Sequence, residues 1–429
     1  MLIDADGRLW LCNHNAFCLT SFRYSWQMRP PSTLLVLLCT IILGRLSSYA
    51  QGQPSAQSVS VPMSLEGNAP IVTLTFRRPE GSVRTARFIF DSGGGAIILN
   101  EGLATEIALK PEGSGISEEG QQYRAIDVPA AFIGGMPLDM RTSKAFMHLG
   151  LASFTNRDNV EGLLPGKALE RYQVVLDYPR RQLSVGAPGS IPHRGEKLPC
   201  PYIASSGHPR VNVEIGGASY GFLLDTGTKL TLMREDIMQR WSKEHPDWPS
   251  STGAVGPANV DGAPDDAFML RIPSLQLGLF TAKSVVAASR PNGTFSATSY
   301  ETPAAIVGAL GGNVLSRFRV EIDYPEQLLF LEPSVTGQSH DFDTVGLVLT
   351  TNPTGQLIVR AVSPSASSVT RQNILPGDII VQIGGSGRAP FTLTMAAKTL
   401  SGVVWERKHL RILRHGKPMS VTVVVSRIL

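Results

Sequence analysis

Two aspartates share one local setting. Asp91 follows Phe88-Ile89-Phe90 and precedes Ser92-Gly93; Asp225 follows Phe222-Leu223-Leu224 and precedes Thr226-Gly227. Each is a strand-like apolar run that ends in an acid, a hydroxyl residue and a glycine. Two carboxyls brought close together cannot both ionise, so they share one proton. The ionised member can take a proton from a water held between them. The protonated member can polarise a carbonyl and later protonate a leaving nitrogen. The Ser92 and Thr226 hydroxyls can tie the two turns together, and Gly93 and Gly227 allow close backbone approach. Thr228 adds a hydroxyl beside Asp225, where the first turn has Gly94.

A lone acid-hydroxyl-glycine triplet is weak evidence of function. These two gain weight from the elements around them, which recur in order. The alternating strand Ile71–Phe76 is matched by Val211–Ile215. The two acidic turns come next. A hairpin pattern from Val128-Pro129 to Ile133-Gly134 is matched from Ile272-Pro273 to Leu277-Gly278. Gly162-Leu163-Leu164 through Leu176-Asp177-Tyr178-Pro179 is matched by Gly308-Ala309-Leu310 through Ile322-Asp323-Tyr324-Pro325. The offsets, 134 to 146 residues, drift only by loop-sized amounts. Four matches in order indicate two copies of one β-rich lobe, and a pseudo-twofold axis between them would set the acidic turns face to face. Asp177 and Asp323 read as turn-forming acids, since no hydroxyl-glycine pair follows them. The polar stretch Trp248 to Asp266 reads as a long surface loop.

A third unit follows. Short strands are expected near Val345–Leu349, Leu357–Val362 and Ile379–Ile383, a helix over Thr394 to Ser401, and two final strands about His415-Gly416-Lys417. The chain therefore divides into residues 1–50, a presequence; 51–190 and 191–335, the two lobes; and 340–429, a small β-rich domain.

The segments FDSGGGAIIL (90–99) and LDTGTKLTL (224–232) resemble the active-site turns of pepsin-like and retropepsin-like aspartic proteases. GLLPGKALERYQVVLDYP and GALGGNVLSRFRVEIDYP resemble the segments that pack over those turns. The resemblance spans both lobes and implies an all-β, bilobed aspartic protease fold. It makes Asp91 and Asp225 the catalytic pair, supported by Ser92, Gly93, Thr226, Gly227 and Thr228, with a polypeptide as substrate. Two departures stand out. Gly94 leaves Asp91 without the hydroxyl that Thr228 offers Asp225, and Pro165 replaces the glycine present at Gly311. Tyr123 falls where such proteases carry a flap tyrosine, although an exposed loop residue is the plainer interpretation. The third unit resembles a PDZ domain, which implies that Gly346, Leu347 and Val348 receive peptide carboxyl termini. A scaffold that binds peptides without cleaving them, or an adaptor acting through the third domain, remains the alternative function.

The apolar run Thr33 to Gly44 follows Met28-Arg29 and precedes Ser48-Tyr49-Ala50, the layout of a secretory signal. The expectation is export to the periplasm or the outside of the cell, with translation starting at Met28 and membrane attachment only if the segment stays uncleaved. Cys12, Cys18 and Cys39 then fall in the presequence, and Cys200, the one cysteine left, reads as structural. A formal charge of +4 over 429 residues argues against nucleic acid as a partner. The eight histidines show no zinc spacing, and no phosphate-binding glycine motif stands in a suitable context, so no metal or cofactor is expected. Gly 42 and Pro 30 agree with a turn-rich β protein.

Overall fold

The computed structural model describes residues 58–118, 121–150, 159–260, 264, 266–334, 342–352, 354–385 and 391–429, together with two short strands, Leu2–Ile3 and Leu9–Trp10, that pair with each other. The proposed signal segment, Met28 and the three presequence cysteines lie outside the described residues. Residues 1–55 and 56–429 form separate units, and everything below concerns the second.

The duplication is built as two equivalent sheets. In the first lobe, neighbouring strands run Ala69–Arg77, Val83–Asp91, Gly162–Pro165, Ala96–Asn100, Lys144–His148 and Gln121–Ile126. In the second they run Arg210–Ile215, Ala218–Leu224, Gly308–Leu310, Thr231–Arg234, Phe280–Arg290 and Phe268–Leu277. The Glu214–Gln276 pairing closes the second set into a six-stranded barrel, whereas in the first lobe the short strand Phe132–Ile133 adds to the outer edge of Ala69–Arg77 through the Thr75–Phe132 pairing. In both lobes a short strand is inserted between the strand that ends at the acidic turn and the strand that leaves it. It lies parallel to the first and antiparallel to the second. The insertion holds each acidic turn open. Glycine starts the inserted strand because nothing larger fits. A methyl group at Gly162 would fall 2.6 Å from the Ile98 carbonyl oxygen, and one at Gly308 would fall 2.8 Å from the Phe222 ring.

A third sheet joins the lobes. Its order is Glu196–Pro199, Leu328–Pro333, Phe318–Asp323, Gln173–Asp177, Gln182–Gly186 and Ser58–Pro62. The lobes meet at its centre, where Val175 pairs with Glu321 and Leu176 with Val320. Each lobe contributes three strands, its first strand pairing with its last. One hydrophobic core runs from the Phe76–Phe88–Phe90 cluster of the first lobe, through Leu176 and Ile322, to Phe222 and Trp241 of the second. Asp177 and Asp323 accept the backbone N–H three residues on, as turn-forming acids do. Cys200 is buried in this core, and burial pushes its thiol up to about 12, so it is an inert packing residue.

The third domain is an antiparallel sheet of Leu347–Thr351, Leu357–Val362, Ile379–Ile383, Arg407–Arg414 and Lys417–Val424, with helices Ser368–Asn373 and Leu393–Leu400. It has its own core around Val359, Ile380, Ile412 and Val423. A second apolar cluster, with Phe342, Val348 and Leu429 on one side and Val255, Met269 and Phe295 on the other, fixes it to the second lobe. The expected surface loop at Trp248–Asp266 is different in the structure. It contains the strand Ser250–Thr252 and the 3₁₀ turn Gly256–Val260, and Ala254, Val255 and Ala258 are buried against the third domain. Its small and polar composition reflects that close packing rather than solvation. No helix among the described residues is long and apolar enough to cross a membrane.

The steric closure predicts that Gly162→Ala and Gly308→Ala each destabilise the protein by about 1–3 kcal/mol, the usual range for overpacking a dense core. Urea unfolding of each variant measures this.

Candidate active site

Asp91 ends the strand Val83–Asp91, and Asp225 directly follows Ala218–Leu224. Both strands are buried in their last residues, so each acid is delivered to the lobe junction at the rim of a rigid sheet. The hydroxyl residues then do what their position suggested. The Ser92 hydroxyl crosses the junction, donates to the Leu224 carbonyl (2.6 Å) and accepts the Thr226 N–H (3.0 Å). The Thr226 hydroxyl returns the pair, donating to the Phe90 carbonyl (2.8 Å) and accepting the Ser92 N–H (3.0 Å). Ser92 and Thr226 have no solvent exposure, so the four bonds do not compete with water.

The glycines set the carboxyls against each other. A methyl group at Gly227 would sit 2.7 Å from Oδ1 of Asp91, and one at Gly93 would sit 3.0 Å from Cγ of Asp225. Each turn thus leaves room for the other lobe's carboxylate. The Gly93 N–H donates to Oδ1 of Asp91 (3.0 Å) and the Gly227 N–H to Oδ1 of Asp225 (2.9 Å). The Thr228 N–H also reaches Oδ1 of Asp225 (3.1 Å), while its hydroxyl lies 3.4 Å from the Asp225 carbonyl oxygen. The Asp91 carboxyl stands close enough to Asp225 to act on its ionisation.

They are not equivalent. Asp225 is buried, and Asp91 is partly exposed. Burial holds the Asp225 carboxyl well above the usual carboxylate range. The Asp91 charge pushes it the same way, against the Thr228 and Gly227 N–H groups, which favour ionisation. Burial and the neighbouring Asp91 charge thus both favour the protonated form of Asp225.

The two departures from the expected pattern turn out to be a matched exchange. Gly94 occupies the position of Thr228, and Pro165 that of Gly311. A methyl group at Gly94 would lie 3.3 Å from Cβ of Pro165, and one at Gly311 would lie 2.9 Å from the Thr228 hydroxyl. In one lobe the bulk is on the turn; in the other it is on the inserted strand. Pro165 thus fills the space that Gly94 leaves, and the first turn is packed rather than loose.

Other residues around the pair carried less signal in the sequence. Tyr178 and Tyr324 are fully buried, and their hydroxyls have no hydrogen-bond partner among the described residues. They act crosswise: burial and then the Asp225 charge raise the Tyr178 phenol, while Tyr324, of the second lobe, is raised by burial and by charges that include Asp91. Both stand beside the aspartates of the repeated Asp-Tyr-Pro, and their recurrence in both copies was the available clue. His208, near the end of the inter-lobe connection, is buried with Nδ1 3.2 Å from Glu301 Oε2, and its Nε2 lies against Gly95. Burial lowers its pKa, while Glu301 and Asp91 act to raise it. Nothing in its sequence neighbourhood marks it. Tyr123 lies in the strand Gln121–Ile126 rather than in a loop, half-buried, with its ring against those of His148 (4.8 Å) and Phe146 (6.4 Å). Gly346, Leu347 and Val348 lie at and just before the first strand of the third domain's sheet. Gly346 has φ +79°, which favours glycine, and Leu347 and Val348 are buried.

Compared with known proteins, the chain matches no family model and no curated protein.

The exchange predicts a coupled pair. Gly94→Thr alone and Pro165→Gly alone each destabilise, and the double variant loses less than their sum, with a coupling of about 0.5–3 kcal/mol in a double-mutant cycle. The raised Asp225 pKa predicts a second effect. A carboxyl whose folded-state pKa lies above its unfolded value of about 3.9 contributes fully below that value, and the contribution is lost as pH rises through the folded pKa. Asp225→Asn therefore gains thermal stability over the parent from about pH 4 upward, with little difference below it. Melting curves across pH test the sign.

Proposed function

We propose that this protein is an exported aspartic endopeptidase that hydrolyses polypeptides with a water activated between Asp91 and Asp225. The observation that carries the reading is the pair of carboxyls, each set against the other lobe's turn at the junction of two equivalent lobes, locked by the reciprocal Ser92–Thr226 bonds. Asp91, partly exposed, takes a proton from the water as the water oxygen attacks the scissile carbonyl carbon. Asp225, buried and protonated, donates to the carbonyl oxygen as it gains charge. The tetrahedral diol then collapses: the proton taken up by Asp91 passes to the amide nitrogen, a diol hydroxyl returns its proton to Asp225, and the C–N bond breaks to give a new carboxyl and a new amine. The backbone N–H groups of Gly93, Gly227 and Thr228 hold the carboxyls in place during this exchange. No metal, cofactor or covalent intermediate is required. Pro165 packs the space beside Gly94, so the first turn is filled rather than loose, and this packing favours turnover over a peptide-binding scaffold. In this reading the third domain, which resembles a PDZ domain, recruits polypeptide segments, and the amino-terminal segment directs export.

Casein hydrolysis by the purified chain tests the proposal. Asp91→Asn and Asp225→Asn should each reduce the rate by at least about 10³-fold, the scale on which removing one member of a cooperating catalytic set acts. Unchanged cleavage in either folded variant would falsify it.

A further inference from the structure

The strand Leu347–Thr351 is an edge strand of the third domain's sheet. An edge strand presents unpaired backbone groups and accepts another strand readily. Here part of that edge is already occupied. The Leu349 N–H donates to Oδ1 of Asn259 at 2.7 Å. Asn259 belongs to the Gly256–Val260 turn of the second lobe, which packs against both Leu347–Thr351 and the helix Leu393–Leu400. The turn therefore lies in the groove between strand and helix. Ala254, Val255 and Ala258 beside it are buried, in one apolar cluster with Val348 and Ala366. The Ser251 hydroxyl reaches those of Ser363 (3.5 Å) and Ser365 (3.4 Å).

The occupant copies a peptide. An asparagine carboxamide offers the same carbonyl acceptor as a backbone amide, so Asn259 stands where the C=O of an added strand would stand. The copy is incomplete. Nδ2 of Asn259 is buried and has no hydrogen-bond partner among the described residues. A buried donor without a partner is costly, whereas an added strand would bring its own alternating donors and acceptors.

We propose that residues 254–260 occlude this groove in cis and so regulate the peptide recruitment proposed above for the third domain, a reading on which this inference rests: an extended apolar segment must displace them to bind. The apolar floor and small apolar occupant set the chemistry of the ligand. The edge N–H of Leu349 sets its strand-like conformation. Release of 254–260 would loosen the connection between Ser250–Thr252 and Phe268–Leu277, a strand of the second-lobe barrel. Peptide capture by the third domain would thus be felt in one wall of the protease-like body. The inference does not depend on the chemistry of the aspartate pair.

The test uses the full chain carrying Asp225→Asn, so that no cleavage intervenes. The probe is a fluorescein-labelled synthetic copy of residues 251–260, as free acid and as carboxamide. Asn259→Ala in the protein weakens the cis occupant by one hydrogen bond. It should tighten probe binding about fivefold, the effect of roughly one net hydrogen bond. Hydrogen exchange is then followed in the chain without the Asn259 change, which covers the event that Asn259→Ala misfolds. Saturating probe should raise exchange in residues 254–260 and leave the Leu349 amide protected. Binding of both probe forms alike fits internal segments, and preference for the acid fits carboxyl termini; either supports the site. Absence of binding to both chains, equal affinity in the two chains, or binding that leaves 254–260 protected would overturn it.

Discussion

Two carboxyls at one junction impose a constraint that the rest of the molecule has to meet. Their mutual repulsion must be met by a shared proton, and the proton is held only while the lobes keep their distance to within a fraction of an ångström. Side-chain contacts between flexible loops would not achieve that. Here the fixing elements are four buried hydrogen bonds between Ser92, Thr226 and the backbones of Phe90 and Leu224. These bonds work because each turn hangs from a buried strand and is spread by an inserted one. The six-stranded sheet below supplies the stiffness at larger scale, since Val175–Glu321 and Leu176–Val320 pair across the lobe boundary.

Symmetry sets the pair up, and departures from symmetry give it direction. Burial of Asp225 against partial exposure of Asp91 puts the two carboxyls in unequal surroundings and raises the pKa of Asp225. The exchange of bulk between Gly94–Pro165 and Thr228–Gly311 shows how two lobes can diverge in sequence and keep the same packing. The second turn gives its carboxyl a further backbone N–H, that of Thr228, and that turn carries the more buried acid. The third domain adds a further asymmetry. It packs on the second lobe through the cluster around Phe342 and Val348, and Arg271 of that lobe bonds the Leu429 carbonyl.

Much of this was legible in the sequence. The acidic turns, the inserted strands beginning at Gly162 and Gly308, and the strands of the third domain follow from short-range pattern: apolar runs, turn residues and a repeat. The two β-rich lobes follow from the repeat, and the resemblance to aspartic proteases implied the all-β bilobed organisation. What the sequence hid was pairing between distant segments. Ser58–Pro62 and Glu196–Pro199 are brief and polar on one face, and only their partners at 182–186 and 328–333 make them strands. Trp248–Asp266 has the composition of a loop because its small residues fit beneath another domain, and burial there depends on a surface more than eighty residues away. Tyr178, Tyr324 and His208 are placed by tertiary packing, and residue type alone does not separate them from ordinary core or surface residues.

The central claim is that the two carboxyls act as one acid–base unit holding a single proton. The pH dependence of kcat/KM for a peptide substrate, from about pH 3 to about pH 8, tests it most directly, because that profile reports the ionisations of the free enzyme. The account predicts a bell: activity rises as the pair loses its first proton and falls as the buried Asp225 loses the second. A profile with no descending limb, or no turnover at any pH from a folded chain, would contradict it.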